Sequence, residues 1–327
     1  MTTDAEILAA LRSANEGGVS GAELSHKLGI SRAAIWARIE ELRQVGYDIE
    51  ATPHLGYRLV SSPDALHADD LLARLGKTKV IGRDIRVFEE TTSTNDIIEK
   101  LARDQVKEGV VVFAESQSKG RGRLGRKWIS PARKGLWFSI LLRPELRPQE
   151  ATQLTVASAT ALRRAIVNTT GLKPKIKWPN DILIDGKKVC GILTELSAEV
   201  DRVKHIILGI GVDVNLGAAE FPPELRKIAT SLKAESGKTI SRADLAVNIL
   251  CELDADYARV CGGKFEAVAH EWEEHCGTIG ELVTIHVGDR KIHGRAEALD
   301  DDGALLLRTE HGTLEHVIGG DVTLANG

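Results

Sequence analysis

Several features that would assign this sequence quickly are missing from it. It holds four cysteines in 327 residues, Cys190, Cys251, Cys261 and Cys276, widely spaced and without a CxxC pair. That spacing argues against a structural zinc site or a disulfide framework and fits a reducing compartment. Neither charge sign dominates: 43 Lys and Arg stand against 47 Asp and Glu, a net charge of −4. A protein that coats nucleic acid unselectively is usually basic, so any DNA contact has to be local. No stretch approaches the ~18 apolar residues of a spanning helix. The start, Met1-Thr2-Thr3-Asp4-Ala5-Glu6, lacks the basic region and apolar run of a signal peptide. A cytoplasmic location without a membrane partner is therefore expected. A GxxxxGK[ST] P-loop is absent, and no dinucleotide fingerprint directly opens a helix. Regular βαβ units are absent too, which argues against a doubly wound sheet.

What remains is an ordinary globular composition, 43% hydrophobic and 28% charged, long enough for two or three domains. Residues 1–60 read as one small unit. Ile7, Leu8 and Leu11 have helical spacing. Ser20 and Glu23 form a capping-box pattern for a second helix ending near Gly29, and Ser31 caps a third from Arg32 to Val45. Two helices joined by so tight a turn read as a helix-turn-helix. Residues 47–50 and 56–60 then read as a small hairpin, a wing, and 61–64 as a linker. From about 65 to 275 the chain mixes elements: strands near 110–114, 136–142, 191–196 and 205–212, and an alanine-rich helix from Glu150 to Val167. Residues 279–325 alternate at period two in several short strands, which reads as a small β barrel.

The segment Gly120-Arg121-Gly122-Arg123-Leu124-Gly125-Arg126-Lys127-Trp128 lies between two of these strands. Its glycines let the backbone turn tightly and approach a ligand. Four cations in seven residues repel one another unless anions come between them, and the guanidinium fork suits phosphate or carboxylate. A plain solvated loop and an RNA-binding element are the alternatives that charge and glycine alone leave open.

Four segments in order then resemble one family. Thr92-Ser93-Thr94-Asn95 looks like its STN segment, and Gly120–Trp128 like its GRGR(x)GRxW loop. Lys177-Trp178-Pro179-Asn180-Asp181 looks like its KWPND motif, and Gly209–Asn215 like its GxGxNxN strand end. The family is that of biotin–protein ligases, in the form that also represses biotin operons. The resemblance implies an α+β multidomain chain: a winged helix-turn-helix over 1–62, a mixed α/β catalytic domain over 65–275 and an SH3-like β barrel over 277–327. It implies adenylation of biotin by ATP, with Mg2+ accompanying the nucleotide, then transfer to a lysine of a biotin carboxyl carrier protein. It further implies operator DNA as a partner and a homodimer once biotinyl-AMP is bound.

Site roles follow from the same resemblance. Lys188, Arg121 and Arg123 are the expected catalytic residues, with Lys188 near the α-phosphate. Biotin is expected at Ser93, Thr94, Asn95, Gln117, Gly120, Arg121, Gly122, Arg123, Lys188 and Gly191. ATP and the adenylate are expected at Arg123, Arg126, Trp128, Lys177, Asn180, Asp181, Lys188 and Asn215. No protein-built metal cage is expected, with Asp181 the candidate contact to Mg-ATP. Several have a plainer reading: Ser93 or Thr94 as a helix cap, Trp128 as packing, Arg126 as a loop brace, Lys177 as a surface charge. The loop departs from one bacterial subtype at Leu124, where that subtype carries arginine.

On the third helix, Ala34, Ile35, Ile39, Leu42 and Val45 share a face that should be core. Arg32, Trp36, Glu40 and Arg43 share another. Arg32, Trp36 and Arg43 are thus the expected DNA-reading residues, with Lys27 and Arg38 as candidate phosphate contacts. Against this, residues 1–60 hold six basic and eight acidic side chains. The rival functions are a ligase whose N-terminal domain does not regulate, a lipoate ligase-like enzyme, and a non-enzymatic nucleic-acid binder.

Overall fold

Capping and apolar spacing build the N-terminal helices as the sequence predicts. This computed structural model describes residues 2–14, 17–53 and 55–324. Contacts divide the chain into two units, Met1–Lys77 with Ser241–Val247, and Thr78–Ile240 with Asn248–Gly327. In the first unit, α1 (Thr3–Ser13), α2 (Gly21–Leu28) and α3 (Arg32–Gln44) precede a hairpin of β1 (Asp48–Thr52) and β2 (Gly56–Ser61), then α4 (Ala68–Leu75). The Ser20 hydroxyl accepts from the Glu23 amide at 3.0 Å and Ser31 from Ala34 at 3.1 Å, each satisfying a donor the helix start leaves open. Ile7, Leu8, Leu11, Leu24, Ile35, Ile39 and Leu42 form the core with Tyr47 and Ile49 from the hairpin side. Each such side chain contributes roughly 1.5–3 kcal/mol through burial. Val45, expected on the core face, is 49% exposed, because α3 ends at Gln44 and Val45 falls past its last turn. The buried Asp70 of α4 holds Arg12 of α1 and, at 2.8 Å, Arg74.

The second unit is built on a seven-stranded mixed sheet, in spatial order β3-β4-β5-β9-β8-β7-β6. Its strands are β3 (Asp84–Thr91), β4 (Val110–Gln117), β5 (Gly135–Leu142), β6 (Lys175–Lys177), β7 (Asp181–Ile184), β8 (Lys187–Ala198) and β9 (Val203–Asp213). Only β3 and β4 pair in parallel; α5 (Thr94–Arg103) makes that crossover. Ile98 of α5 packs with Val112, Leu141 and Ile207 on one face of the sheet. The alanine-rich helix, α6 (Thr152–Thr170), hydrogen-bonds through Thr155 to Thr194, whose place at period two puts it on the other face. Helices α7 (Leu232–Ser236), α8 (Arg242–Cys261) and α9 (Phe265–His275) follow.

The C-terminal strands correct one expectation. β10 (Leu282–Val287), β11 (Arg290–Leu299), β12 (Leu305–Thr309), β13 (Leu314–Val317) and β14 (Asp321–Leu324) form an antiparallel sheet in the order β13-β12-β11-β10-β14. β13 and β14 occupy opposite edges and do not pair, so the SH3-like β barrel inferred from the sequence is not closed. Period-two alternation and short turns are common to open sheets and barrels. Closure depends on whether the two edge strands meet, and these edges are only four residues long.

Candidate active site

The floor of the site is bare backbone. Gly191 of β8 pairs with Gly211 of β9, and Leu193 with Gly209. Across the other edge of β9, Ser139 pairs with Gly209, Trp137 with Gly211 and Gly135 with Asp213. Directly paired residues share a face, so these positions line one surface. Side chains from elsewhere lie across it. A Cβ at Gly209 would meet the Asn95 amide oxygen at 2.3 Å, and one at Gly211 the Trp128 indole at 2.5 Å. A Cβ at Gly191 would meet Trp128 at 2.9 Å and the Lys188 Nζ at 3.1 Å.

Over this floor the arginine loop folds back on itself between β4 and β5. The Gly122 amide donates to the Arg126 carbonyl at 2.7 Å, and Trp128 to Gly120 at 2.9 Å. The tip is Leu124, 72% exposed, with φ 55, followed by Gly125 at φ 71. The three arginines are compensated unequally. Arg121 donates to Glu195 at 3.2 Å and to Asp96. Burial lowers its proton affinity, but these two carboxylates outweigh burial and hold Arg121 above its usual value. Arg126 pairs with Asp321 and is mostly exposed. Arg123 is half-buried and donates at 3.3 Å to the neutral amide oxygen of Asn180. Burial pushes its guanidinium below the usual value, against the opposing pull of Asp321 and Asp181. Of the three it is the cation for which an anion would do most.

Ser93, Thr94 and Asn95 are buried where β3 turns into α5. Ser93 holds the N-cap position, yet its hydroxyl makes no cap bond. Thr94 donates its amide to the Gln117 side-chain oxygen at 2.9 Å, and its hydroxyl lies 2.6 Å from that of Ser139. Ser139 donates to the Asn95 oxygen, and the Asn95 NH2 group to Glu195 at 2.8 Å. Gln117 in turn donates to Ser130 at 2.9 Å. This chain of donors and acceptors fixes which way both amides point.

On the other side of Trp128, the Lys188 ammonium lies 2.6 Å from an Asp181 carboxylate oxygen and 5.2 Å from the Trp128 ring centroid. That is within cation–π range. Asp181 pairs with Gly191 and with Lys177 through the strands, so Lys177 shares the site's face. Asn180, after the cis Trp178–Pro179 peptide, donates to the Ile192 carbonyl at 2.6 Å while accepting from Arg123. Among the described residues no group of three or more His, Cys, Asp or Glu could hold a metal ion, and Asp181 is committed to Lys188.

The structure thus gathers Thr94, Asn95, Gln117, Gly120, Arg121, Arg123, Trp128, Lys177, Asn180, Asp181, Lys188 and Gly191 around one floor, while Ser93 and Gly122 are their chain neighbours, with Gly122 bonded to Arg126. Asn215 is engaged elsewhere: its buried amide accepts from the Ile240 amide at 3.0 Å and donates to the Ile240 carbonyl at 2.9 Å. In the N-terminal unit Arg32 and Trp36 are exposed on α3, Trp36 at 58%. Arg43 donates at 2.9 Å to the Ile49 carbonyl and also to Glu40, tying α3 to the wing. Arg38 pairs with Glu41 at 2.9 Å, and Lys27 is exposed.

Sequence reasoning missed Asp96, Ser130, Ser139, Glu195 and Asp213. Asp96 and Ser130 flank the first two motifs, whereas Ser139 and Glu195 are distant in the chain and meet them only through folding. Asp213 carried a signal: it occupies the place of the first asparagine in the GxGxNxN pattern.

Comparisons with known proteins follow this layout. Residues 87–213 match the sequence model of the biotin/lipoate A/B protein ligase family, 4–58 an HTH domain and 278–324 the biotin protein ligase C-terminal domain. The bifunctional ligase/repressor BirA of Bacillus spizizenii is 40% identical over 306 residues, 94% of each chain. That of Escherichia coli is 30% identical, over 93% of this chain and 92% of its own. The biotin protein ligase of Aquifex aeolicus in complex with biotin and ATP superposes with a TM-score of 0.63 at 32% identity, covering 74% of this chain and 98% of that one.

Proposed function

From the premise that the chain belongs to the family of bifunctional biotin ligase/repressors, we propose how its own residues divide the work. The protein is an ATP-dependent biotin–protein ligase that also acts as a BirA-like repressor. The biotin carboxylate attacks the α-phosphate of ATP and displaces pyrophosphate, giving biotinyl-5′-AMP. The amine of an acceptor lysine then attacks the carbonyl of that anhydride and AMP leaves. Negative charge builds at phosphate oxygens in the first step and at the carbonyl oxygen in the second, so fixed positive donors supply much of the stabilisation.

The observation that carries the assignment is Lys188, held between Asp181 and the Trp128 face at the edge of a glycine floor. The Asp181 carboxylate keeps the ammonium aimed at one place before any ligand arrives, and this preorganisation is what makes such a charge effective. Lys188 therefore meets the α-phosphate, and Arg123, which donates to the neutral Asn180 amide, joins it. Arg121 braces the loop through Glu195 and Asp96 and offers its remaining edge to the biotin carboxylate. Ser93, Thr94, Asn95 and Gln117 face the ureido ring, which needs donors for its oxygen and acceptors for its two N–H groups. Gly120, Gly122 and Gly191 let the ligand lie against backbone, and Lys177 adds charge beside Asp181. Trp128 covers the adenylate, and the loop above it keeps water from the anhydride. Asn215, with its amide committed to the Ile240 backbone, is given no ligand contact. Magnesium enters as the counter-ion of the triphosphate.

The regulatory half rests on the helix-turn-helix. Arg32 and Trp36 are its groove-facing residues and Arg43 the brace behind them. The acceptor is the biotin carboxyl carrier protein of a carboxylase. The partner DNA is a biotin operator, read by a homodimer that biotinyl-AMP favours, and the chain works as three parts, 1–62, 65–275 and 277–327.

Biotin-dependent ATP–pyrophosphate exchange tests the enzyme assignment. Wild type should exchange with biotin and not with lipoate, and Lys188→Ala should lose about two to three orders of magnitude in rate. No wild-type exchange sinks the ligase reading; a fully active Lys188→Ala sinks the lysine assignment alone.

A further inference from the structure

The polar chain at the Asn95 end of the site starts from one carboxylate. Glu195 is half-buried on β8 and follows Gly191 and Leu193 at period two, so it stands on the face of the glycine floor. Two parts of the chain converge on it. The Asn95 NH2 group donates to it at 2.8 Å, and the Arg121 guanidinium donates through Nε and Nη2, each at 3.2 Å. A carboxylate only accepts, so the Asn95 nitrogen has to face Glu195 and the Asn95 oxygen has to face away. That oxygen lies over the floor, where a Cβ at Gly209 would meet it at 2.3 Å. It accepts from the Ser139 hydroxyl, whose single proton is then engaged, so the Ser139 oxygen accepts in turn from the Thr94 hydroxyl 2.6 Å away. Glu195 thus sets the direction of each hydrogen bond from Asn95 through Ser139 to Thr94. A carbonyl oxygen has two lone pairs, and the bond from Ser139 leaves the Asn95 oxygen one of them.

We propose that Glu195 is the positioning residue of the biotin end of this site: it turns the Asn95 oxygen towards the ligand, where that oxygen accepts a ureido N–H, and it holds Arg121 of the arginine loop with the same carboxylate. This rests on the ligase reading above, with Asn95 at the ureido ring. The two ends of an amide have nearly the same shape, so Asn95 does not choose its own orientation; its neighbours do. Turned the other way, its NH2 group would meet the ring's N–H, donor against donor, and a buried donor left without an acceptor is costly. Glu195→Gln removes the constraint. The new amide oxygen goes to Arg121, which can only donate, and the new NH2 group faces Asn95. Asn95 then inverts and shows the ligand a donor. Adding Asn95→Asp puts acceptors back on every side of position 95 and returns the pair to one negative charge.

The test measures biotin-dependent ATP–pyrophosphate exchange in wild type, Glu195→Gln, Asn95→Asp and the double variant. Glu195→Gln should raise the KM for biotin about 10- to 100-fold and leave the KM for ATP as it was. Asn95→Asp alone sets two carboxylates against each other and should raise the KM for biotin too. The double variant should have a lower KM for biotin than Glu195→Gln, a rescue that a merely structural role does not produce. An unchanged KM for biotin in Glu195→Gln, an equal rise in both KM values, or a double variant no better than Glu195→Gln each overturns the proposal. No exchange by wild type overturns the ligase reading instead, and melting of the ligand-free proteins then tests the pairing by itself. Glu195→Gln should raise the melting temperature of Asn95→Asp; an unchanged or lowered one shows that the two side chains are not paired as proposed.

Discussion

At the residue scale, the three loop arginines are chemically alike and electrostatically different. Arg121 has two carboxylates, Arg126 one, and Arg123 a neutral amide. Arg123→Ala should therefore cost the most in exchange, about 100-fold or more. Arg126→Ala removes an exposed ion pair worth roughly 0.2–1 kcal/mol and should change kcat/KM only a few-fold. Equal losses in steady-state kinetics for the two variants would refute this ranking. Asp213 makes a separate prediction for stability. Its folded-state proton affinity is raised, so its contribution to stability is full below the unfolded carboxyl's pKa and is lost as pH rises through the folded value. The melting temperature of wild type should fall relative to Asp213→Asn as pH is raised from acid towards that folded value. A difference that does not vary with pH counts against a neutral, buried Asp213.

At the element scale, β8 and β9 are bare where they meet, and that bareness is structural as well as catalytic. Gly211→Ala would drive a methyl group to 2.5 Å from the Trp128 indole. The cost should be about 1–3 kcal/mol, seen as a lowered melting temperature, with Trp128 displaced and exchange impaired. An unchanged melting temperature with full exchange would show that the floor has slack. The N-terminal helices were legible in the sequence because Ser20, Ser31 and Gly29 act within a few residues of themselves. Strands β4, β5, β8 and β9 were legible as apolar runs. β6, β7 and β14 are three or four residues long and carry too little pattern to stand out. The ion pairs of Arg121 and the role of Glu195 depend on residues 25 and 74 positions away, which no local spacing reveals. The open C-terminal sheet was read as a barrel because alternation fixes which side chains face inward and leaves edge pairing undetermined.

At the scale of the whole molecule, net charge sets the terms for DNA. With −2 over residues 1–60 and −4 overall, operator affinity has to come from a few oriented side chains. Trp36→Ala should weaken operator binding in the presence of biotin and ATP by roughly 1–3 kcal/mol if its ring meets base edges. Lys27→Ala should instead lower the salt dependence by about one phosphate's worth. A gel-shift series across salt concentrations separates the two, and no effect of either on binding refutes the groove-facing assignment of α3. The loop itself is fastened from the far end of the chain: Arg126 reaches Asp321 on β14, and a Cβ at Gly319 would meet the Arg123 guanidinium at 3.0 Å. The last strand among the described residues thus acts as a doorstop for the arginine loop. A chain cut before β14 would keep its glycine floor and its Lys188–Asp181 pair. It would leak: activated biotin would escape to solvent and label bystander lysines.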